Sequence, residues 1–87
     1  MKIPDQIQQT IENTGFEITS QQERSNLILL TLESNKHAIN GEPGYQDQRN
    51  AQTITSQING MGGDAEWVTF NDKIRINAKV LPINEAT

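Results

Sequence analysis

Residues 70–80 read FNDKIRINAKV: a turn-forming pair, Asn71-Asp72, followed by strict alternation. Ile74, Ile76, Ala78 and Val80 fall on one side of an extended chain and Lys73, Arg75, Asn77 and Lys79 on the other, the period of a strand with one buried face. Both turn residues tolerate the positive φ of a tight hairpin, so AEWVTF before them pairs antiparallel with KIRINAKVL after them. Phe70 then faces Lys73, Val68 faces Arg75, and Glu66 faces Asn77. One face of this hairpin carries Ala65, Trp67, Thr69, Ile74, Ile76, Ala78 and Val80, with Trp67 expected as the largest core member. The other mixes Val68 and Phe70 with three of the chain's seven basic residues, and Glu66 lies diagonal to Arg75 and Lys79, within reach of a weak ion pair.

Working back from this hairpin, Ala51, Ile54, Ile58 and Met61 form one apolar stripe on a helix over about residues 45–60, ended by Gly60, Gly62 and Gly63. Residues 34–44, SNKHAINGEPG, are dense in turn signals. Leu27 to Leu32 is apolar on both faces except at Thr31, as expected of a central, covered strand. FEIT precedes it as a second strand across a short turn. At the start of the chain Ile3, Ile7 and Ile11 recur every fourth residue. With Pro4 in the first turn, Asp5 favourable to the dipole and Gly15 as the stop, they predict a short amphipathic helix.

The predicted class is α+β, in the order α-β-β-α-β-β: about four antiparallel strands with two helices on one face. Ile7/Ile54, Ile11/Ile58 and Gly15/Gly62 match between the halves, a weak sign of internal duplication. Residues 1–81 are expected to form a single domain and residues 82–87 a flexible tail.

If KHAIN formed a further strand, residues 4 to about 60 would run helix, three strands, helix. That order, with GEPGYQDQRNAQ leading into the last helix, resembles a double-stranded-RNA-binding domain. The resemblance implies a lysine cluster at the start of that helix. This chain has Gln46, Asp47, Gln48 and Arg49 there, so the phosphate grip is missing and RNA binding is not supported.

Composition narrows the functions. Apolar residues make up 33% of the 87, about 40% with glycine, against roughly 45–50% for average domains. Nine Gln and nine Asn make up much of the difference. A core this small makes a homodimer a natural way to bury more surface. The absence of cysteine excludes disulfides, thiolate catalysis and cysteine metal sites. No apolar run reaches the roughly 20 residues of a membrane helix, and the first residues do not read as a signal peptide, so a cytoplasmic chain without a membrane partner is expected. A net charge of −4 argues against non-specific nucleic-acid binding.

No catalytic, cofactor or metal constellation stands out. His37 is the only histidine, with Glu33 and Glu42 the nearest carboxylates in sequence, and reads as a surface loop residue. The eleven carboxylates are dispersed. NGMGGD precedes a strand, the reverse of a phosphate-cradling loop.

The residues singled out for partner binding are Val68, Phe70, Lys73, Arg75 and Lys79. An aromatic and a valine ringed by basic groups is a common interface composition. The competing reading is an ordinary solvated face with its edge guarded by lysines. On either reading the fold is expected to tolerate charge reversal at Lys73, Arg75 and Lys79 at under about 0.5 kcal/mol per site, and only on the first should partner binding weaken. The expected function is a non-enzymatic protein-interaction module without cofactor. Small, acidic, cysteine-free chains of this kind are frequent among phage and mobile-element proteins that block host machinery, so an inhibitor or accessory subunit is the expected form. The alternative is a nucleic-acid-binding accessory protein using the basic face of the last strand.

Overall fold

The computed structural model of the chain describes residues 2–83. In chain order its elements are α1 (Asp5–Thr14), β1 (Glu17–Arg24), β2 (Leu27–Ser34), α2 (Tyr45–Gly60), β3 (Asp64–Phe70) and β4 (Lys73–Val80). The class and order are those expected. Ile7 and Ile11 are the buried residues of α1, Asp5 lies in its first turn, and the chain leaves through Gly15 at φ +79°. That left-handed conformation disfavours a side chain, which is why the helix stops at a glycine.

The four strands form one antiparallel sheet in the order β1-β2-β4-β3. β4 is thus an interior strand, paired on both sides, and its lysines guard no edge, contrary to the expectation from its alternation. The edges are β1 and β3. Burial alternates along β2 and β4: Ile28, Leu30, Leu32 and Ser34 are buried, as are Ile74, Ile76, Ala78 and Val80. These residues join Ile3, Ile7, Ile11, Phe16, Ala51, Ile54 and Ile58 in one core, so both helices cover the same face. The other face is open.

Trp67 points inward as expected, but it is only half-buried and packs against the rim of the core. β3 is an edge strand, and the indole Nε1 donates to Gln52 Oε1 at 3.2 Å on the exposed side of α2. KHAIN forms no strand of the sheet. Ile39 and Glu42 make a single bridge around Asn40-Gly41, both at positive φ. This small turn ends the resemblance to the RNA-binding topology. At the other end of the chain the Ile83 N–H donates to the Lys2 carbonyl at 2.8 Å. Residues 84–87, most of the expected tail, lie outside the described residues.

The two halves form a structural repeat. Ile7, Ile11 and Gly15 lie 47 residues before Ile54, Ile58 and Gly62 (54 − 7, 58 − 11, 62 − 15), whereas β2 lies 46 before β4 (73 − 27, 80 − 34). The one-residue difference falls in β1, where the pairing with β2 shifts register between Ile18 and Ser20, leaving Thr19 as a bulge. A 46-residue shift also carries the central pairing onto itself. Ile28↔Val80 becomes Ile74↔Ser34, Leu29↔Lys79 becomes Arg75↔Glu33, and Thr31↔Asn77 maps onto its own reverse. That is the register of a two-fold axis through the Thr31–Asn77 pair.

Candidate interaction surface

Strand pairing arranges the open face in rows. One row reads Glu17, Glu33, Arg75, Val68; the next Ser20, Thr31, Asn77, Glu66; the third Gln22, Leu29, Lys79, Asp64. Phe70 sits at the turn, opposite Lys73. All five residues singled out from the sequence therefore lie on this face, but in two groups. Val68, Phe70, Lys73 and Arg75 cluster at the turn end of the second hairpin. Lys79 stands two rows away, on the border of an open hollow of about 470 Å³ lined by Ser20, Gln22, Thr31, Glu66 and Asn77 over Leu29.

Glu33 organises the first group. Its Oε2 accepts from Arg75 Nε at 2.9 Å, and its Oε1 lies 3.5 Å from Lys73 Nζ. The glutamate side chain is 18% exposed. The hydrogen bond from Arg75 holds its carboxyl below the ordinary value of 4.5, with the charges of Arg75 and Lys73 adding to the effect and burial opposing it. The partner of Arg75 is thus Glu33 on β2, not the diagonal Glu66 expected from the hairpin alone. Val68 and Phe70 remain 46% and 48% exposed, and the Arg75 guanidinium lies 4.9 Å from the Phe70 ring centroid. Arg75 is thereby held between a carboxylate and an aromatic face.

The whole face is electrically balanced. Arg24, Lys73, Arg75 and Lys79 are matched by Glu17, Glu33, Asp64 and Glu66, so the net charge of −4 comes from the rest of the chain.

A second polar cluster lies between β2 and α2. Asp47, fully buried, accepts from the His37 N–H at 2.8 Å through Oδ2, while Oδ1 lies 2.8 Å from His37 Nδ1 and 3.3 Å from Ser34 Oγ. Sequence proximity pointed to Glu33 and Glu42 and missed Asp47. A signal was present: position 47 lies one helical turn before Ala51, on the stripe that buries Ile54 and Ile58, and a carboxylate on an apolar stripe requires partners. The three residue types of a hydrolytic triad meet here, but the Ser34 hydroxyl donates to the Asp47 carboxylate and not to the His37 ring, so the serine–histidine–aspartate order of a triad is not formed. The cluster instead ties the loop after β2 to the first turn of α2. Gly44 completes it, because a Cβ there would overlap the His37 carbonyl.

Among the described residues there is no group of three or more His, Cys, Asp or Glu side chains placed to hold a metal ion, and no helix long and apolar enough to cross a membrane. Comparison with protein-family models, with characterised proteins and with solved structures finds no match to this chain.

Proposed function

We propose that this chain is a non-enzymatic protein-interaction module, acting as an inhibitor or accessory subunit, and that it engages its partner through Val68, Phe70, Lys73, Arg75 and Lys79. The observation carrying this reading is the half-exposed Val68–Phe70 pair with Arg75 fixed against it by Glu33. Aromatic and arginine side chains are enriched at interface hot spots, and an arginine already held in place loses less side-chain entropy on binding. The charge balance of the same face weighs against the nucleic-acid alternative, which needs an uncompensated positive track and several stacking aromatics.

The test is capture of partners by tagged protein in the native cell, comparing the wild type with Phe70→Ala and Arg75→Ala after circular dichroism has confirmed folding. Specific loss of one captured protein with both variants supports the reading. Retention of every captured protein by both variants overturns it. Salt-sensitive shifts of single- or double-stranded DNA or RNA by the wild type would favour the alternative.

A further inference from the structure

The two-fold repeat places β1 and β3 in equivalent positions at opposite edges of the sheet, and the two edges are built differently. An uncovered edge strand is a template for pairing with another chain, and proteins commonly blunt such edges with bulges and charges. β1 has both devices: the bulge at Thr19 breaks its regular spacing, and Glu17, Glu23 and Arg24 crowd its eight residues. β3 has no bulge, since its register against β4 runs unbroken from Asp64↔Lys79 to Phe70↔Lys73. It contains neither proline nor a basic residue, and Val68 and Phe70 stand exposed along it.

One position on this edge is already occupied. The Asn59 side chain, at the end of α2, accepts from the Ala65 N–H at 2.7 Å and donates to the Ala65 carbonyl at 3.2 Å. A side-chain amide thus makes the pair of bonds that a neighbouring strand would make, and it shows that the backbone of Ala65 points away from β4. Outward-pointing residues alternate in an antiparallel pair, so Trp67 and Thr69 present their N–H and C=O groups on the same side. Glu66, between Ala65 and Trp67, makes no ion pair among the described residues.

We infer that the edge of β3 beyond the Asn59–Ala65 clamp receives an extended segment of a partner protein as a fifth strand. Main-chain bonds form at Trp67 and Thr69, apolar side chains lie over Phe70 and Val68, and a basic side chain lies over Glu66. In the antiparallel orientation shared by the rest of the sheet, the segment reads apolar-x-apolar-x-basic. A second copy of β3 does not fit this description, because the strand offers two carboxylates and no cation to its twin. The inference rests on the reading of the chain as a protein-binding module and names the mode of binding.

The probe is a synthetic nine-residue peptide, blocked at both ends, with isoleucine, isoleucine and lysine at alternate central positions. Two controls accompany it: a peptide with those three residues in reverse order, and one N-methylated on the two backbone amides that face Trp67 and Thr69. Amide chemical shifts of the labelled, full-length protein should move most over residues 66–70, together with the Trp67 indole. N-methylation and Glu66→Lys should each weaken binding tenfold or more, and the reversed peptide should bind more weakly than the forward one. Loss of a captured protein on Phe70→Ala and Arg75→Ala is a separate measurement from peptide binding, so the two readings can fail separately. Three results would overturn the inference: no shifts at millimolar peptide, shifts centred on β1 or on Lys79 with the β3 amides unmoved, or an N-methylated peptide that binds as tightly as its parent.

Discussion

Reversing the charge of Arg75 should destabilise the fold, whereas the same change at Lys79 should be nearly silent. Alternation alone treats the two residues alike, as exposed heads on one strand face. The structure separates them. Arg75 donates to Glu33 at 2.9 Å, and Glu33 stands directly opposite Glu17 in the β1–β2 pairing. Removing the guanidinium therefore breaks a hydrogen bond to a charged group and unmasks two like charges side by side. A charged hydrogen bond contributes about 1.5–3 kcal/mol, and fully exposed ion pairs about 0.2–1. With Glu33 at 18% and Arg75 at 37% side-chain exposure, a coupling of about 1 kcal/mol follows after allowing for solvent screening. Arg75→Ala should cost about 1.5 kcal/mol, including its contact with Phe70, and Arg75→Glu about 2–3. Lys79→Glu should stay within about 0.5. The assay is a double-mutant cycle with Glu33→Gln by urea unfolding, checked by melting temperature, where 1 kcal/mol corresponds to about 4–8 °C in a domain of this size. The pH dependence has a definite sign. The folded carboxyl of Glu33 lies below its unfolded value of 4.5, so its contribution is fully present above that value and is lost as pH falls through the lowered folded one. A coupling under about 0.3 kcal/mol at neutral pH and low salt would refute the reasoning. So would a Lys79→Glu cost equal to that of Arg75→Glu.

Gly44→Ala should destabilise by about 3 kcal/mol, because its Cβ would overlap the His37 carbonyl; an unchanged urea midpoint would mean that the loop moves aside at little cost. Asp47→Ala strips three polar partners from a buried site and should cost about 3 kcal/mol, with the amide of His37 losing its protection from hydrogen exchange. Gly15→Val, at φ +79°, should cost about 1–2 kcal/mol, and an unaltered melting curve would place the end of α1 elsewhere. Deleting Thr19 should bring β1 into unbroken register with β2 and change stability by less than about 1 kcal/mol, whereas loss of the cooperative transition would show that the bulge is needed to seat the strand.

What the sequence discloses about this fold is its local part. The alternation of β4, the Asn71-Asp72 turn and the glycine at the end of α1 each follow from the conformational preferences of a few consecutive residues, and each stands in the structure. The order of strands does not follow in this way. β4 alternates as an edge strand would, and nothing within residues 73–80 records that β2 lies on its far side. The choice of Glu33 over Glu66 as the partner of Arg75 depends on that missing neighbour, since the two carboxylates sit on opposite flanks of β4. The half-burial of Trp67 has the same origin: its facing is local information, but the depth of cover depends on where α2 crosses an edge strand. Asp47 is an intermediate case. Its place on the stripe shared with Ala51 was visible, but its partner His37, ten residues back, becomes adjacent only when the loop folds onto the helix.

The two-fold repeat separates what the fold requires of the open face from what it merely permits. Under the 46-residue shift the positions of Val68, Phe70 and Arg75 are occupied in the first half by Gln22, Arg24 and Leu29. The edge strand of the first half thus carries an amide and a charge, with Leu29 on the strand beside it, where the second half exposes a valine and a phenylalanine beside Arg75. The edges differ in cover as well, since every residue of β1 is exposed whereas Ala65 of β3 is buried. Exposed apolar groups on an edge strand raise the risk of misassociation, and although β1 carries Ile18 at 36% exposure, it stands without an apolar residue at the two positions equivalent to Val68 and Phe70. Core packing cannot account for them either, because they lie on the face away from the helices. What distinguishes the halves is therefore the chemistry presented outward at one end of one hairpin: two apolar side chains on the edge strand, an arginine fixed by Glu33, and an edge strand without a bulge. The proposed partner surface draws on that difference in outward chemistry, which packing against the core does not require.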